Sequence, residues 1–130
     1  MIDPRELAPV APELFVPDVD AAARFYTERL GFTLLRQEAD GSFAVVALGS
    51  AVVMLAQERL YGAMGGTLGA ARGLGIDVRI LVADVDAAYR AARAGGVAIV
   101  HDIGDRYYGL RDFIVRDLNG YRLRFAAPLA

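Results

Sequence analysis

The stretch VPDVDAA, residues 16–22, returns 66 residues later as VADVDAA, residues 82–88, with six of seven positions identical. Each copy follows a short apolar run and opens a helix-like stretch that ends at glycine, Gly31 in one copy and Gly95-Gly96 in the other. A repeat of this length indicates two copies of one supersecondary module, because a solenoid needs at least three shorter units. Two such modules are expected to build a concave sheet whose inner face can bind a ligand.

Alternating apolar residues and turn signals divide each copy into a strand, a helix and three strands. The first module, residues 11–56, is predicted to contain strands at 13–16, 32–38, 43–48 and 51–56, with a helix capped by Asp18. The second module, residues 76–127, is predicted to contain strands at 77–83, 97–101, 111–116 and 121–126, with a helix capped by Asp84. The sequence therefore predicts a single α+β domain spanning residues 1–130, with an open, barrel-like sheet of mixed strand direction.

Residues 57–75 join the modules and contain six glycines. We interpret them as a flexible linker that can also cover the site. The alternative, a phosphate cradle, is disfavoured because the segment has neither a lysine nor the G-x-G-x-x-G spacing.

Composition excludes several classes of partner. The formal net charge is −2 over 130 residues, which gives no basic surface for nucleic acid or an anionic membrane. The longest apolar runs are strand-sized, so no membrane span is expected. The first residues lack the pattern of a secretory signal, so we expect a cytoplasmic protein. A hydrophobic content of 55% favours an apolar subunit interface, although an alanine-rich composition also explains it.

Missing residue types narrow the chemistry further. The chain has no cysteine, and all 14 basic residues are arginine, which excludes a thiolate nucleophile and a Schiff-base lysine. The only histidine is His101, and the only serines, Ser42 and Ser50, lie in predicted turns. A Ser-His-Asp site is therefore disfavoured, and no catalytic residues are predicted.

Strand alternation separates the two faces of the predicted sheet. Four strands each place apolar residues toward the helices and leave a mixed polar face opposite. That face is expected to carry Glu13, Asp77, Arg79, Asp112 and Arg124. It is either the solvated side of a half-buried sheet or the lining of a ligand site, and the pattern alone leaves both open. Sheltered arginines would need carboxylate partners, for which Glu13 and Asp77 are the natural candidates.

Three segments of the chain resemble the vicinal-oxygen-chelate superfamily, which includes glyoxalases, bleomycin-resistance proteins and extradiol dioxygenases. They are PELFVPDVDAAARFYTERLGF at 12–32, LVADVDAAYRAARAGG at 81–96 and YGLRDFIVRDLNGYRLRF at 108–125. The resemblance implies paired βαβββ modules and usually a homodimer. It implies little about activity, because this fold supports many chemistries.

Metal-dependent members of the superfamily hold their metal with three ligands. The resemblance implies that these positions are occupied by Ala11, Asp77 and Arg124 in this chain. Alanine has no donor atom, and a guanidinium has no lone pair to offer. Glu13 and His101 are possible substitute ligands, but Glu13 is more simply explained as a partner of Arg124. The resemblance therefore implies a chain without a metal or another cofactor.

The chain is most similar to the bleomycin-resistance-type branch, whose members sequester a bulky ligand at a dimer interface without turnover. This implies a homodimer that binds a drug or metabolite, with tyrosine rings for stacking and carboxylates for a cationic ligand. The residues expected to bind the ligand are Glu13, Phe15, Phe43, Asp77, Arg79, Tyr107, Tyr108, Asp112 and Arg124. The tyrosine pair is equally explained by hairpin packing or a subunit contact, and the lack of tryptophan disfavours bleomycin itself.

Two alternatives remain open. One is a metal-dependent lyase, isomerase or dioxygenase of the same fold that uses Glu13, Asp77 and a further ligand. The other is a structural or regulatory dimer whose polar face is only solvated.

Overall fold

Both copies of the repeated motif begin a helix in the same way. The carboxylate of Asp18 accepts a hydrogen bond from the backbone N–H of Ala21, and that of Asp84 accepts one from Ala87, each over 3.0 Å. The glycine two positions beyond each helix has a positive φ, 75° in the first copy and 70° in the second. Side-chain N-caps and left-handed glycines are strong local start and stop signals. The sequence repeat is therefore also a structural repeat.

The computed structural model describes residues 2–130, and the chain divides into the units Met1–Arg72 and Gly73–Ala130. The first unit begins with a short 3-10 helix, Pro4–Glu6. Its other elements are β1 (Glu13–Val16), α1 (Val19–Arg29), β2 (Thr33–Gln37), β3 (Phe43–Leu48), β4 (Ala51–Gln57) and α2 (Arg59–Ala63). The four strands form one sheet in the order β1-β4-β3-β2, in which only the β1–β4 pair is parallel.

The second unit repeats this topology. Its elements are β5 (Val78–Leu81), α3 (Val85–Ala94), β6 (Ala98–Asp105), β7 (Leu110–Arg116) and β8 (Arg122–Pro128). The strand order is β5-β8-β7-β6, again with one parallel pair, β5–β8. The predicted α+β class is thus confirmed, as two four-stranded mixed sheets. Neither sheet closes into a barrel over residues 2–130, and no helix in that range is long and apolar enough to cross a membrane.

The glycine-rich segment 57–75 contains more structure than the predicted linker. Strand β4 extends to Gln57, and α2 follows at once. The ring of Tyr61 in α2 packs on Phe15 of β1, with ring centroids 4.6 Å apart. The prediction missed this helix because its support is a tertiary aromatic contact that no short-range pattern reveals.

The two sheets differ in the residues on one of their faces, which are apolar in the first unit and charged in the second. In the first unit, Ala11, Phe43 and Met54 pack on the buried cluster of Val45, Ala47 and Val52. In the second unit, Phe113 and Phe125 are buried on one face, and charged residues occupy the other. The polar face predicted for both modules is therefore developed mainly in the second.

Candidate functional site

The charged face of the second unit is built from three neighbouring strands. Arg79 in β5 lies opposite Arg124 in β8, which in turn lies opposite Ile114 in β7. Residues directly opposite one another in a sheet point to the same face. Asp112, two residues before Ile114, belongs to that face as well. Strand register therefore gathers residues from three segments of the sequence into one cluster.

Asp112 is the centre of this cluster. Its side chain is 0% exposed, yet it is a carboxylate. Arg106 Nε donates to one oxygen over 2.7 Å, while Tyr108 Oη and Arg124 Nη1 donate to the other over 2.5 Å and 3.0 Å. Buried carboxylates require this kind of pairing, because desolvating an unpaired charge costs several kcal/mol. The burial differs from the sequence expectation of an open acidic contact for a cationic ligand.

Arg124 connects Asp112 to Asp77, the residue that immediately precedes β5. Its Nη1 also donates to Tyr108 Oη over 3.1 Å, and its Nη2 donates to Asp77 Oδ2 over 3.3 Å. Arg122 Nε donates to the other Asp77 oxygen over 2.6 Å. Asp77 thus pairs with arginines of this face, as expected, and Asp112 is the second carboxylate partner of Arg124. The expected pairing with Glu13, which belongs to the first unit, stays a prediction.

Sequence reasoning missed the contribution of Arg106. This residue follows β6, and its guanidinium turns back across Gly104, which lies opposite Asp112 in the register. A Cβ at Gly104 would lie 3.0 Å from Arg106 Nη1, so a side chain there would crowd the guanidinium. A glycine facing a buried carboxylate, with an arginine two residues later, is the signal that could have revealed the contact.

The hydrogen bonds set the charge states of the cluster. Burial raises the pKa of the Asp112 carboxyl, but the bonds from Tyr108, Arg106 and Arg124 outweigh it, so the pKa is lowered. The hydrogen bond from Arg122 lowers the pKa of Asp77 against a smaller effect of burial. The bond that Tyr108 donates to Asp112 raises the pKa of the Tyr108 hydroxyl. At neutral pH the carboxylates are therefore charged, and the phenol is protonated.

A cavity of about 450 Å³ opens beside the cluster and is lined by Asp77, Arg79, Tyr108, Leu110 and Arg124. A second cavity of about 480 Å³ lies on the other side of Asp77, next to Arg122 and residues 73–76. Tyr108 is 47% exposed, so part of its ring is open although its hydroxyl is fixed. Tyr107 is 100% exposed and makes an edge contact with the Tyr108 ring. Four of the nine predicted site residues thus line one cavity, with Asp112 buried beside it.

The three predicted site residues of the first unit have other surroundings. Glu13 is exposed at the start of β1. The Phe15 ring is only 8% exposed, because Tyr61 covers it. Phe43 packs on the apolar cluster of its own sheet, and the Arg36 guanidinium lies 5.1 Å from its ring centroid. Phe15 and Phe43 are therefore occupied by packing within their unit, and their role as ligand-binding walls stays a prediction.

The resemblance noted above implies three metal-ligand positions, which are Ala11, Asp77 and Arg124 in this chain, and the chemistry of these residues does not suit a metal ion. Ala11 has no donor atom and packs against an apolar cluster. Both oxygens of Asp77 accept hydrogen bonds from arginines. Arg124 brings a positive charge to the third position, within 3.3 Å of Asp77. Both suggested substitutes are exposed, Glu13 at the start of β1 and His101 on β6. Residues 2–130 contain no group of three His, Asp or Glu residues placed to hold a metal ion.

The sequence and the fold now identify the family. The model of the Glyoxalase/Bleomycin resistance protein/Dioxygenase superfamily matches residues 7–125. The chain belongs to this superfamily. Among proteins of curated function, none matches the sequence significantly.

Solved structures with a similar fold match nearly the whole chain. TioX from Micromonospora sp. ML1 is 30% identical, with a TM-score of 0.72 over 93% of this chain and 96% of TioX. A protein of unknown function from Agrobacterium tumefaciens str. C58 is 28% identical, with a TM-score of 0.75 over 92% of this chain and 93% of that one. A glyoxalase/bleomycin resistance protein/dioxygenase from Nocardioides shares the fold at 22% identity, with a TM-score of 0.74 over 95% of this chain and 84% of that one.

Proposed function

We propose that this superfamily member is a metal-free small-molecule-binding protein of the bleomycin-resistance type, which sequesters its ligand without turnover. The observation that carries the proposal is Arg124. The resemblance aligns residue 124 with the third ligand position of the metal-dependent members, and the Arg124 guanidinium is fixed by two carboxylates, at 3.0 Å and 3.3 Å. A divalent ion at this position would be repelled by the guanidinium, and it would have to compete with arginine for Asp77.

The cavity beside Arg124 supports a binding role. Its volume of about 450 Å³ falls in the range of small-molecule sites. It combines the open part of a tyrosine ring with an aliphatic residue, Leu110, and a few charged groups. Ligand pockets usually combine apolar surface with a small number of precisely placed polar groups. The ionic network holds Asp77, Arg124 and the Tyr108 hydroxyl in place before a ligand arrives, which lowers the entropic cost of binding.

Metal content is the first test of this proposal. We expect protein purified without chelator to contain well below one equivalent of metal per chain by elemental analysis. The same result is expected after it is soaked with zinc, nickel, manganese or iron and desalted, because two of the three ligand positions offer no lone pair. Near one equivalent per chain would contradict the proposal and favour the metal-dependent lyase, isomerase or dioxygenase alternative. A thermal-shift screen of small molecules then tests binding, and a complete lack of stabilising compounds favours a structural role.

We further propose that the protein is a homodimer. Several large apolar side chains of the second unit are exposed, among them Leu74 (80%), Ile76 (58%) and Leu81 (58%). Exposed apolar groups of this kind are commonly covered in subunit contacts. Light scattering coupled to size-exclusion chromatography is expected to give twice the chain mass of 13.9 kDa. A concentration-independent mass of one chain would contradict this.

A further inference from the structure

Two arginines of the charged face have no ion pair over residues 2–130, Arg79 and Arg116, and only Arg79 lines the 450 Å³ cavity. Arg106, Arg122 and Arg124 each pair with a carboxylate of the cluster. The side chain of Arg79 is exposed, and within the described residues its guanidinium has no hydrogen-bonding or ion-pair partner. All five N–H donors of its guanidinium are therefore available to a molecule in the cavity.

The register places this free guanidinium beside a second one. Arg79 and Arg124 are direct partners on the parallel strands β5 and β8. Like charges directly opposite in a sheet repel each other. The charge of Arg124 is compensated by Asp77 and Asp112, whereas that of Arg79 is not. An anion in the cavity would relieve this repulsion and gain a charge-assisted hydrogen bond.

The local charge balance also favours an anion. Among the residues that line the cavity, Arg79 and Arg124 are positively charged and only Asp77 is negatively charged. The lining is thus positive by one charge, although the whole chain has a net charge of −2. Asp112 is fully buried with both oxygens bonded, so it cannot contact a cationic ligand. The sign is opposite to that expected from the sequence.

We propose that the cavity binds the carboxylate group of an organic acid, with Arg79 as its primary contact. The planar guanidinium fork matches a carboxylate, with which it can form two parallel hydrogen bonds. Tyr108 and Leu110, on the same cavity wall, contact the apolar body of the ligand, and an aromatic body suits the open part of the tyrosine ring. This inference rests on the proposed function and defines its ligand class.

Three naphthalene probes of matched shape test the inference. They are 2-naphthoate, its neutral analogue 2-naphthamide and the cation 2-naphthylmethylammonium, each titrated at neutral pH by calorimetry or NMR. We expect 2-naphthoate to bind, the amide to bind at least tenfold more weakly, and the cation to bind least. Because the contact is ionic, affinity for 2-naphthoate should fall with added salt, whereas affinity for the amide should not.

The variant Arg79→Gln is expected to weaken 2-naphthoate binding by roughly 10- to 100-fold, the effect of one hydrogen-bonded charge. It should leave amide binding unchanged, and it should fold normally because the Arg79 guanidinium makes no hydrogen bond or ion pair within the described residues. Arg90→Gln is the matched control, since Arg90 is an exposed arginine of α3 that does not line the cavity.

Each other outcome has a definite meaning. Equal or tighter binding of the neutral or cationic probe, unaffected by Arg79→Gln, overturns the carboxylate assignment and leaves the proposed binding function intact. No binding of any probe at millimolar concentration also overturns the assignment, and the thermal-shift screen then decides the proposed function separately. An equal loss in Arg79→Gln and Arg90→Gln would mean that only general charge attraction is being measured.

Discussion

Replacing Asp112 by asparagine is expected to lower the free energy of unfolding by about 3–5 kcal/mol, the usual cost of removing one partner from a buried ion pair. The variant would leave Arg106 and Arg124 without their shared counter-charge at a site with 0% exposure. Asparagine has nearly the same shape, so the loss would reflect charge rather than a cavity. Urea unfolding followed by circular dichroism measures the effect.

The matched control for this variant is Asp105→Asn. Asp105 also pairs with an arginine, Arg111, at 3.0 Å, but its side chain is 64% exposed. Surface pairs of this kind contribute about 0–1 kcal/mol. A loss below about 1 kcal/mol in Asp112→Asn, similar to the control, would mean that Asp112 is solvated and not the centre of a buried network.

The pH dependence of the free energy of unfolding tests the ion pairs of Asp112 independently. The pKa of Asp112 is lowered in the folded protein, so its contribution to stability is complete above the unfolded pKa, about 4. The contribution is lost as the pH falls through the lower, folded value. The difference in stability between the wild type and Asp112→Asn should therefore shrink as the solution is acidified below about pH 4. A difference that stays constant into strong acid would contradict the assigned charge state.

Most of the fold could be predicted because its signals are local. Asp18 and Asp84 start helices through bonds to a backbone group three residues away, and apolar alternation fixes which face of each strand is buried. Element bounds were less accurate where tertiary contacts decide them. Strand β6 runs to Asp105, beyond the predicted end at residue 101, because it continues through irregular pairing with β7.

The candidate site could be predicted only in part. Alternation placed Arg79 and Arg124 on one face, which the register confirms. It could not show that Arg106 folds back from a turn onto Asp112, because that contact depends on the backbone path and on the missing side chain of Gly104. The sequence analysis therefore treated Asp112 as an exposed carboxylate. For that reason it expected a positively charged ligand.

The repeat relates residues of different chemistry. An offset of 66 residues relates Ala11 to Asp77 and Glu13 to Arg79. The sequence pattern assigned Glu13 and Arg79 to one polar face. However, the chain has kept the backbone pattern while changing the chemistry, so that Glu13 pairs in register with Met54 where Arg79 pairs with Arg124. Burial patterns fix which face a residue occupies, and they do not fix which residues on that face have partners.

Replacing Arg124 by glutamate is expected to have an effect as large as that of the Asp112 variant, but one that a metal ion reverses. The change removes a donor from buried Asp112, again worth about 3–5 kcal/mol, and adds a like charge beside it. Position 124 lies between Asp77 and Asp112, whose oxygens are now 3.3 Å and 3.0 Å from the guanidinium nitrogens. The variant would place a second carboxylate beside Asp77 at the cavity wall and release the bonds that Arg124 makes to Asp77 and Asp112, and carboxylate oxygens suit manganese and other divalent ions.

The measurement is a thermal unfolding series in chelator and in millimolar manganese, nickel or zinc, with Arg124→Gln as the matched control. Arg124→Gln loses the same ion pairs without adding a carboxylate, so metal should not restore it. We expect Arg124→Glu to be less stable than Arg124→Gln in chelator and to be raised above it by at least one of the metals, because an ion that binds only the folded state stabilises it. Equal responses of the two variants to every metal would count against the alignment of position 124 with the ligand position of the metal-dependent relatives, with Ala11 still leaving the site one ligand short. The main argument for a metal-free site would then be lost, whereas a rescue confined to Arg124→Glu would mean that this arginine is what keeps the metal out.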